Sequence, residues 1–237
     1  MLIFNFNGRP DGLGNRIEEL ILLEAYCNRN KCKCNYYWNN LYQYRTYDIH
    51  LKCKNVTIQK NQRYAKSDIA LNSTMYSKEE INNACQNIHF TFDLPWLDFK
   101  YHSVHIRSTD KLNNRGKDEF TWDTLCDSMN KCINVMNTNM DVVNYIIVAD
   151  DDDIKTKFLK NVNSKINVIN IPYDNVYPKE YIDLYILSKS DLIYMVPKFS
   201  SFSTTASLLG STKLYTFFDE NETSLYRYQA NILKHKK

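Results

Sequence analysis

The sequence is poor in the features that mark several large protein classes. It holds only five glycines and five prolines in 237 residues, against an abundance of Asn, Lys, Ile and Tyr, which reads as a coding bias rather than a functional signal. No apolar run is long enough to span a bilayer, so no membrane span is expected. The formal net charge is only +3, too balanced for a generic nucleic-acid binder, which would concentrate positive charge. There is no Gly-Lys-Ser/Thr phosphate loop, and the spacing of Gly8, Gly12 and Gly14 is not the dinucleotide fingerprint. Neither a Gly-Xaa-Ser-Xaa-Gly elbow nor a His-Glu-Xaa-Xaa-His pair occurs.

What is present is a folded-protein composition, 43% hydrophobic and 24% charged, at a length that suits one large domain or two small ones. The seven cysteines are an odd number. The opening Met1–Asn7 is too short and lacks the basic region of a signal peptide. A cytoplasmic, reduced protein with free thiols is therefore the expectation. Cys27, Cys32 and Cys34 with His50 match no common zinc spacing, and no metal is expected.

Periodicity organises the chain. Leu2–Asn7 alternates as a strand, Gly8–Gly14 turns, and Arg16–Tyr26 reads as an amphipathic helix whose apolar stripe is broken by Glu24. Lys33–Trp38 is a second strand, completing a βαβ unit. Residues 40–98 show no clear pattern, and Leu94-Pro95-Trp96-Leu97 reads as a linker. Strands follow at Tyr101–Arg107, Val142–Ala149, Ile166–Ile171, Asp191–Met195 and Lys213–Phe218. Helices are expected over Thr121–Met136, from near Ile154, over Tyr181–Ser188 and over Ser203–Leu209. The alternation predicts a parallel α/β fold. A break near residue 98 would divide it into an N-terminal domain, 1–98, and a C-terminal domain, 99–237.

The candidate chemistry sits where strands end and helices begin. Gly12-Leu13-Gly14-Asn15-Arg16 lies between a strand and a helix. Glycine there permits close approach of a ligand, and a helix N-terminus favours an anion. An ordinary turn is the competing reading. In His105-Ile106-Arg107 the alternation puts both polar side chains on one face of an apolar strand. Burying them is costly unless they are partnered or used. A guanidinium at the carboxyl end of such a strand can clamp a diphosphate. Asp150–Asp153 reads as a helix cap rather than a cation site, since a Ca²⁺ loop would need alternating ligands and a glycine. Asp183 opens a helix, and Phe199-Ser200-Ser201-Phe202-Ser203 precedes another, where hydroxyls and amides form an anion nest or a plain cap. The aromatic stretch Asn35–Arg45 could stack on sugar rings, with about half of it expected in the core.

Taken in this order, Gly12–Asn15, His105–Arg107 and Phe199–Ser203 resemble the fucosyltransferase superfamily, which transfers fucose from GDP-fucose. The resemblance implies a GT-B-like fold of two Rossmann-like halves facing a cleft. It implies an inverting glycosyltransferase with GDP-fucose as donor substrate, no further cofactor, and a glycan or protein hydroxyl as acceptor. Arg107 would bind the β-phosphate and stabilise the leaving group, with Asp110 as the nearby base. Gly14, Asn15, Arg16 and His105 would line the cleft. Asp183 would read the guanine edge, and Ser200, Ser201, Phe202 and Ser203 would hold the diphosphate. Many members of the superfamily carry a second Arg after the first; here Ser108 stands in its place, with Lys111 or Arg115 as substitutes for the charge. Another nucleotide sugar, or an inactive nucleotide- or glycan-binding module, are the alternatives.

Overall fold

A computed structural model describes residues 1–10, 12–38, 49–60, 67–108, 121–139, 141, 144–173, 176–196, 200–217 and 231–235. Two parallel sheets dominate it. The smaller contains β1 (Ile3–Asn7), β2 (Lys33–Trp38) and β4 (Val56–Lys60), in the order β1-β2-β4. Helix α1 (Leu13–Asn30) makes the crossover from β1 to β2. Strands β3 (Leu51–Cys53) and β5 (Ile88–Phe90) form a short antiparallel pair, with α2 (Lys78–Cys85) between them in sequence.

The larger sheet is built from β6 (His102–Ile106), β7 (Asn144–Ala149), β8 (Asn167–Ile169), β9 (Leu192–Val196), β10 (Lys213–Thr216) and β11 (Asn231–Lys234). Its order is β11-β10-β9-β6-β7-β8, and its pairings are parallel. Numbered within this sheet, that is 3-2-1-4-5-6 from the β8 edge, the doubly wound order whose direction reverses between the first and fourth strands. The reversal here lies between β6 and β9. Four helices provide crossovers: α3 (Trp122–Thr138), α4 (Asp152–Leu159), α5 (Lys179–Lys189) and α6 (Ser201–Gly210).

The pleat sorts side chains onto two cores. Val104, Ile106, Tyr145, Ile147, Tyr194 and Val196 pack with Leu125, Cys132, Ile133 and Met136 of α3 and with Ile154 and Phe158 of α4. On the other face, Ile146, Val148, Ile193 and Met195 pack with α5 and α6. That second core continues without interruption into α1, β2 and α2, so the smaller sheet shares its apolar interior with the larger one.

Because α1 lies inside this shared core, it is buried on nearly every side, including Arg16, Glu18, Glu19 and Glu24. Glu24, which breaks the apolar stripe in the sequence, is fully buried. Its carboxylate accepts from the backbone N–H of Asn55 at 2.6 Å and of Val56 at 3.1 Å, pinning the helix to the start of β4. A buried charge without such donors would be prohibitive. Within Asn35–Arg45, Tyr36 and Trp38 are core residues, and residues 39–48 lie outside the described part. Among the described residues no helix is long and apolar enough to cross a membrane.

The N-termini of α1 and α6 meet at Gly14. A methyl group there would lie 2.6 Å from the Phe202 amide nitrogen and 2.8 Å from its Cα, both backbone atoms that cannot swing aside. Gly14→Ala is therefore expected to lower stability by about 1–3 kcal/mol, the usual cost of overpacking. Denaturant unfolding checks this; an unchanged midpoint would show that the two helices can part without loss.

Candidate functional site

The carboxyl ends of β6 and β9 gather most of the residues singled out from the sequence. The register pairs Ile106 with Ala149 of β7 and with Val196 of β9. One residue further on, the Arg107 amide still donates to the Val196 carbonyl at 2.9 Å, and Arg107 comes to lie beside Asp150. Arg107 Nε is 3.6 Å from Asp150 Oδ2, an ion pair with both side chains partly open to solvent. Asp150 is fixed in turn by Ser108, whose amide and hydroxyl donate to its Oδ1 at 2.9 and 2.7 Å. The guanidinium is thus held at its Nε edge by a carboxylate that is itself tethered.

His105 points to the opposite side of β6 from Ile106, towards α6. Its Nδ1 and Ser203 Oγ share a hydrogen bond of 2.5 Å, and its ring lies 5.3 Å from that of Phe202. Burial is the main cause holding its pKa down to about 3. The neighbouring Arg107 guanidinium and the Lys179 ammonium push the same way, against Asp150. His105 is therefore a neutral imidazole that fixes the first turn of α6.

That first turn has no side-chain cap. Ser200 occupies the N-cap position but its side chain makes no capping bond, and Gly12 at the start of α1 has none to offer. The first amides of a helix have no partner within the helix, and the macrodipole places positive potential there. By contrast, Ser77, Thr121 and Asp151 cap α2, α3 and α4 with their side chains. Two helices without side-chain caps thus abut at Gly14 and Phe202.

Asp183, 4% exposed, lies on the first turns of α5. Its Oδ1 accepts from Tyr173 Oη and its Oδ2 from Lys179 Nζ, each at 2.6 Å. Burial raises its pKa, opposed by the Lys179 charge and the Tyr173 hydroxyl. Lys179 Nζ also donates to the Ala149 carbonyl at 3.1 Å, which ties this cluster to the end of β7.

His105 and Gly14 thus meet the first turn of α6, which Ser200–Ser203 form, Arg107 stands two residues beyond His105, and Asp183 reaches the neighbouring end of β7 through Lys179. Arg16 is placed otherwise: it is fully buried, with its guanidinium 4.7 Å from the centre of the Trp38 ring. Asn15 is half-buried at the first turn of α1, where its amide donates to the Gly12 carbonyl. Asp110, Lys111 and Arg115 lie outside the described residues, as do 197–199. Sequence reasoning missed Tyr173 and Lys179 altogether, noted Ser108 only as the residue in place of a second Arg, and gave Asp150 to the helix cap. The cap is Asp151, which accepts from the amides of Asp153 and Ile154. Among the described residues no group of three or more His, Cys, Asp or Glu side chains is placed to hold a metal ion.

In doubly wound parallel α/β folds, ligands bind outside the carboxyl ends of the strands at the switch point. Solved structures with a similar fold are crystals of the α-1,6-fucosyltransferase NodZ. The crystal soaked with GDP-fucose has a TM-score of 0.50 at 13% identity, covering 87% of this chain and 91% of that one. The crystal grown with GDP gives 0.51 at 13% identity over the same shares. A third, of NodZ from Bradyrhizobium, gives 0.51 at 11%, again over 87% and 91%. At these identities the likeness is one of fold. No protein-family model and no curated protein sequence matches the chain.

The depressed pKa of His105 gives stability a defined pH dependence. In the unfolded chain the ring takes up a proton as pH falls through its usual value near 6.5, while the folded form resists until about 3. Between those values the unfolded state binds more protons, so stability drops as pH drops, by up to about 1.4 kcal/mol per pH unit from this group. Urea unfolding of wild type and His105→Gln, compared from about pH 7 to about pH 5, should show this slope only in the wild type. Parallel curves would mean that His105 titrates normally in the fold.

Proposed function

We propose that this chain is a glycosyltransferase that uses a nucleotide-sugar donor, with GDP-fucose as donor and a glycan or protein hydroxyl as acceptor. The observation that carries the reading is the convergence of Arg107 with the first turn of α6 at the β6/β9 switch point. Support comes from the fold shared with NodZ, whose crystals were prepared with GDP-fucose and with GDP. In this reading residues 99–237 hold the donor and residues 1–98 face the acceptor, as two GT-B-like halves.

The chemistry is inverting displacement at the sugar C1. The bond from C1 to the β-phosphate oxygen breaks through an oxocarbenium-like state as the acceptor oxygen attacks from the opposite face. Negative charge then grows on the departing diphosphate. Arg107 and the α6 amides are fixed beforehand, so they stabilise that charge with little reorganisation. Asp110 is the proposed acceptor of the hydroxyl proton. Asp183 is the proposed reader of the guanine N–H edge, and Gly14 and Asn15 border the cleft. No metal or further cofactor enters this scheme.

A second reading, nucleotide binding without turnover, draws on Ser108. At the residue after Arg107, the chain places a hydroxyl that anchors Asp150 rather than another cation. Release of GDP from GDP-fucose separates the two readings.

The reading is tested by thermal stability with GDP, GDP-fucose, UDP and CDP. A ligand at about one hundred times its Kd stabilises the native state by about 2.7 kcal/mol. GDP and GDP-fucose should raise Tm, and Arg107→Ala should abolish the shift while remaining folded. A response to UDP alone would discard fucose as the sugar, and no response to any of the four would refute the reading.

A further inference from the structure

We infer that Lys179 is a second phosphate-side cation of the crevice, held ready by Asp183 and by the end of β7. The inference rests on the nucleotide-sugar reading and deepens it, since it names the group that joins recognition of the base to binding of the diphosphate.

Lys179 Nζ donates to the carbonyl of Ala149, the last residue of β7. Ala149 is the register partner of Ile106, so the ammonium lies one residue from the Arg107–Asp150 pair along two adjacent strand ends. It is also close enough to His105 for its charge to act on that ring alongside the charge of Arg107.

An ammonium has three N–H groups. Among the described residues Lys179 donates to Ala149 and to Asp183, and its ammonium also lies 5.2 Å from the centre of the Tyr173 ring. Its side chain is 45% exposed while that of Asp183 is 6% exposed. The carboxylate is therefore the fixed partner, and the lysine is the one that reaches solvent and any ligand there.

Tyr173 and Lys179 between them engage both carboxylate oxygens of Asp183. A nucleobase N–H that bonds to Asp183 competes for the same oxygens. Tyr173 can keep Oδ1 while the base takes over at Oδ2, which releases the ammonium from its counter-ion as the diphosphate arrives. The plain alternative is that Lys179 only neutralises a buried carboxylate. The two roles make different demands on the ligand: a phosphate-side cation affects GDP and inorganic pyrophosphate, a counter-ion affects the base.

The test is calorimetric binding of GDP, guanosine and inorganic pyrophosphate to wild type, Lys179→Gln and Lys179→Arg. The amide of Gln still donates a hydrogen bond to Asp183 but carries no charge. Loss of a charge-assisted hydrogen bond corresponds to about a tenfold change or more in affinity. The expected result is about tenfold or greater weakening of GDP and pyrophosphate in Lys179→Gln, no weakening of guanosine, and near wild-type behaviour in Lys179→Arg. Equal weakening of GDP and guanosine, or no change in either, overturns the inference and leaves the nucleotide-sugar reading standing. Failure of the wild type to bind GDP removes both. Should Lys179→Gln not fold, Lys179→Met combined with Asp183→Asn removes both members of the pair. Its pyrophosphate affinity is compared with that of Asp183→Asn alone: a further loss supports the inference, and equality overturns it.

Discussion

The hydrogen-bonded ladder between β6 and β9 brings together segments that are far apart in the chain: His105 and Ser203, which share a hydrogen bond, are 98 residues apart. Parallel pairing puts both strand ends at the same edge, and the reversal of strand order between them sends their following segments apart. A crevice must open there. The Arg107 amide extends the ladder by one bond to Val196, so the cation leaves the sheet at a fixed height. Without this pairing, neither the guanidinium nor the first turn of α6 would have a defined position.

Charge around the crevice is arranged in tethered pairs. Asp150 restrains Arg107 and is itself held by Ser108; Asp183 restrains Lys179 and is held by Tyr173. In each case the carboxylate is the less exposed partner and the cation is the more exposed one. Such pairing limits the cost of bringing charge into a partly dry place. It also leaves cations and helix amides as the groups that an anion meets. Neutral His105 fits the same scheme, since a charged imidazole there would add repulsion between α6 and Arg107 and would itself need a partner. The shared core beneath, running from α5 and α6 into α1 and β2, keeps the two abutting helix N-termini in register.

Much of this was legible because the relevant strands are simple. β1 and β2 alternate, and β7 is a continuous apolar run buried on both faces, so their patterns survive in the sequence. His105 and Arg107 stood out because polar residues in such a strand need an explanation. Residues 40–98 were illegible for the opposite reason. β3 and β5 have three residues each, and β4 has only Val56 fully buried, so no period can establish itself. One signal there was overlooked: Ser77 and Glu80 form a capping box ahead of α2, and the pattern is visible in the sequence. The tethering residues were hidden more deeply. The role of Asp150 comes from cross-strand register, and that of Lys179 from an i,i+4 relation combined with the end of another strand. Neither is a property of a local segment. Glu24 carries the same lesson, since a break in an apolar stripe became an anchor once β4 arrived beside it.

The most direct test of the account is a crystal structure of the chain with GDP. The account predicts the diphosphate between the Arg107 guanidinium and the amides of Ser201–Ser203, with the guanine edge at Asp183. GDP bound elsewhere, or a crevice that stays empty at saturating GDP, would contradict it.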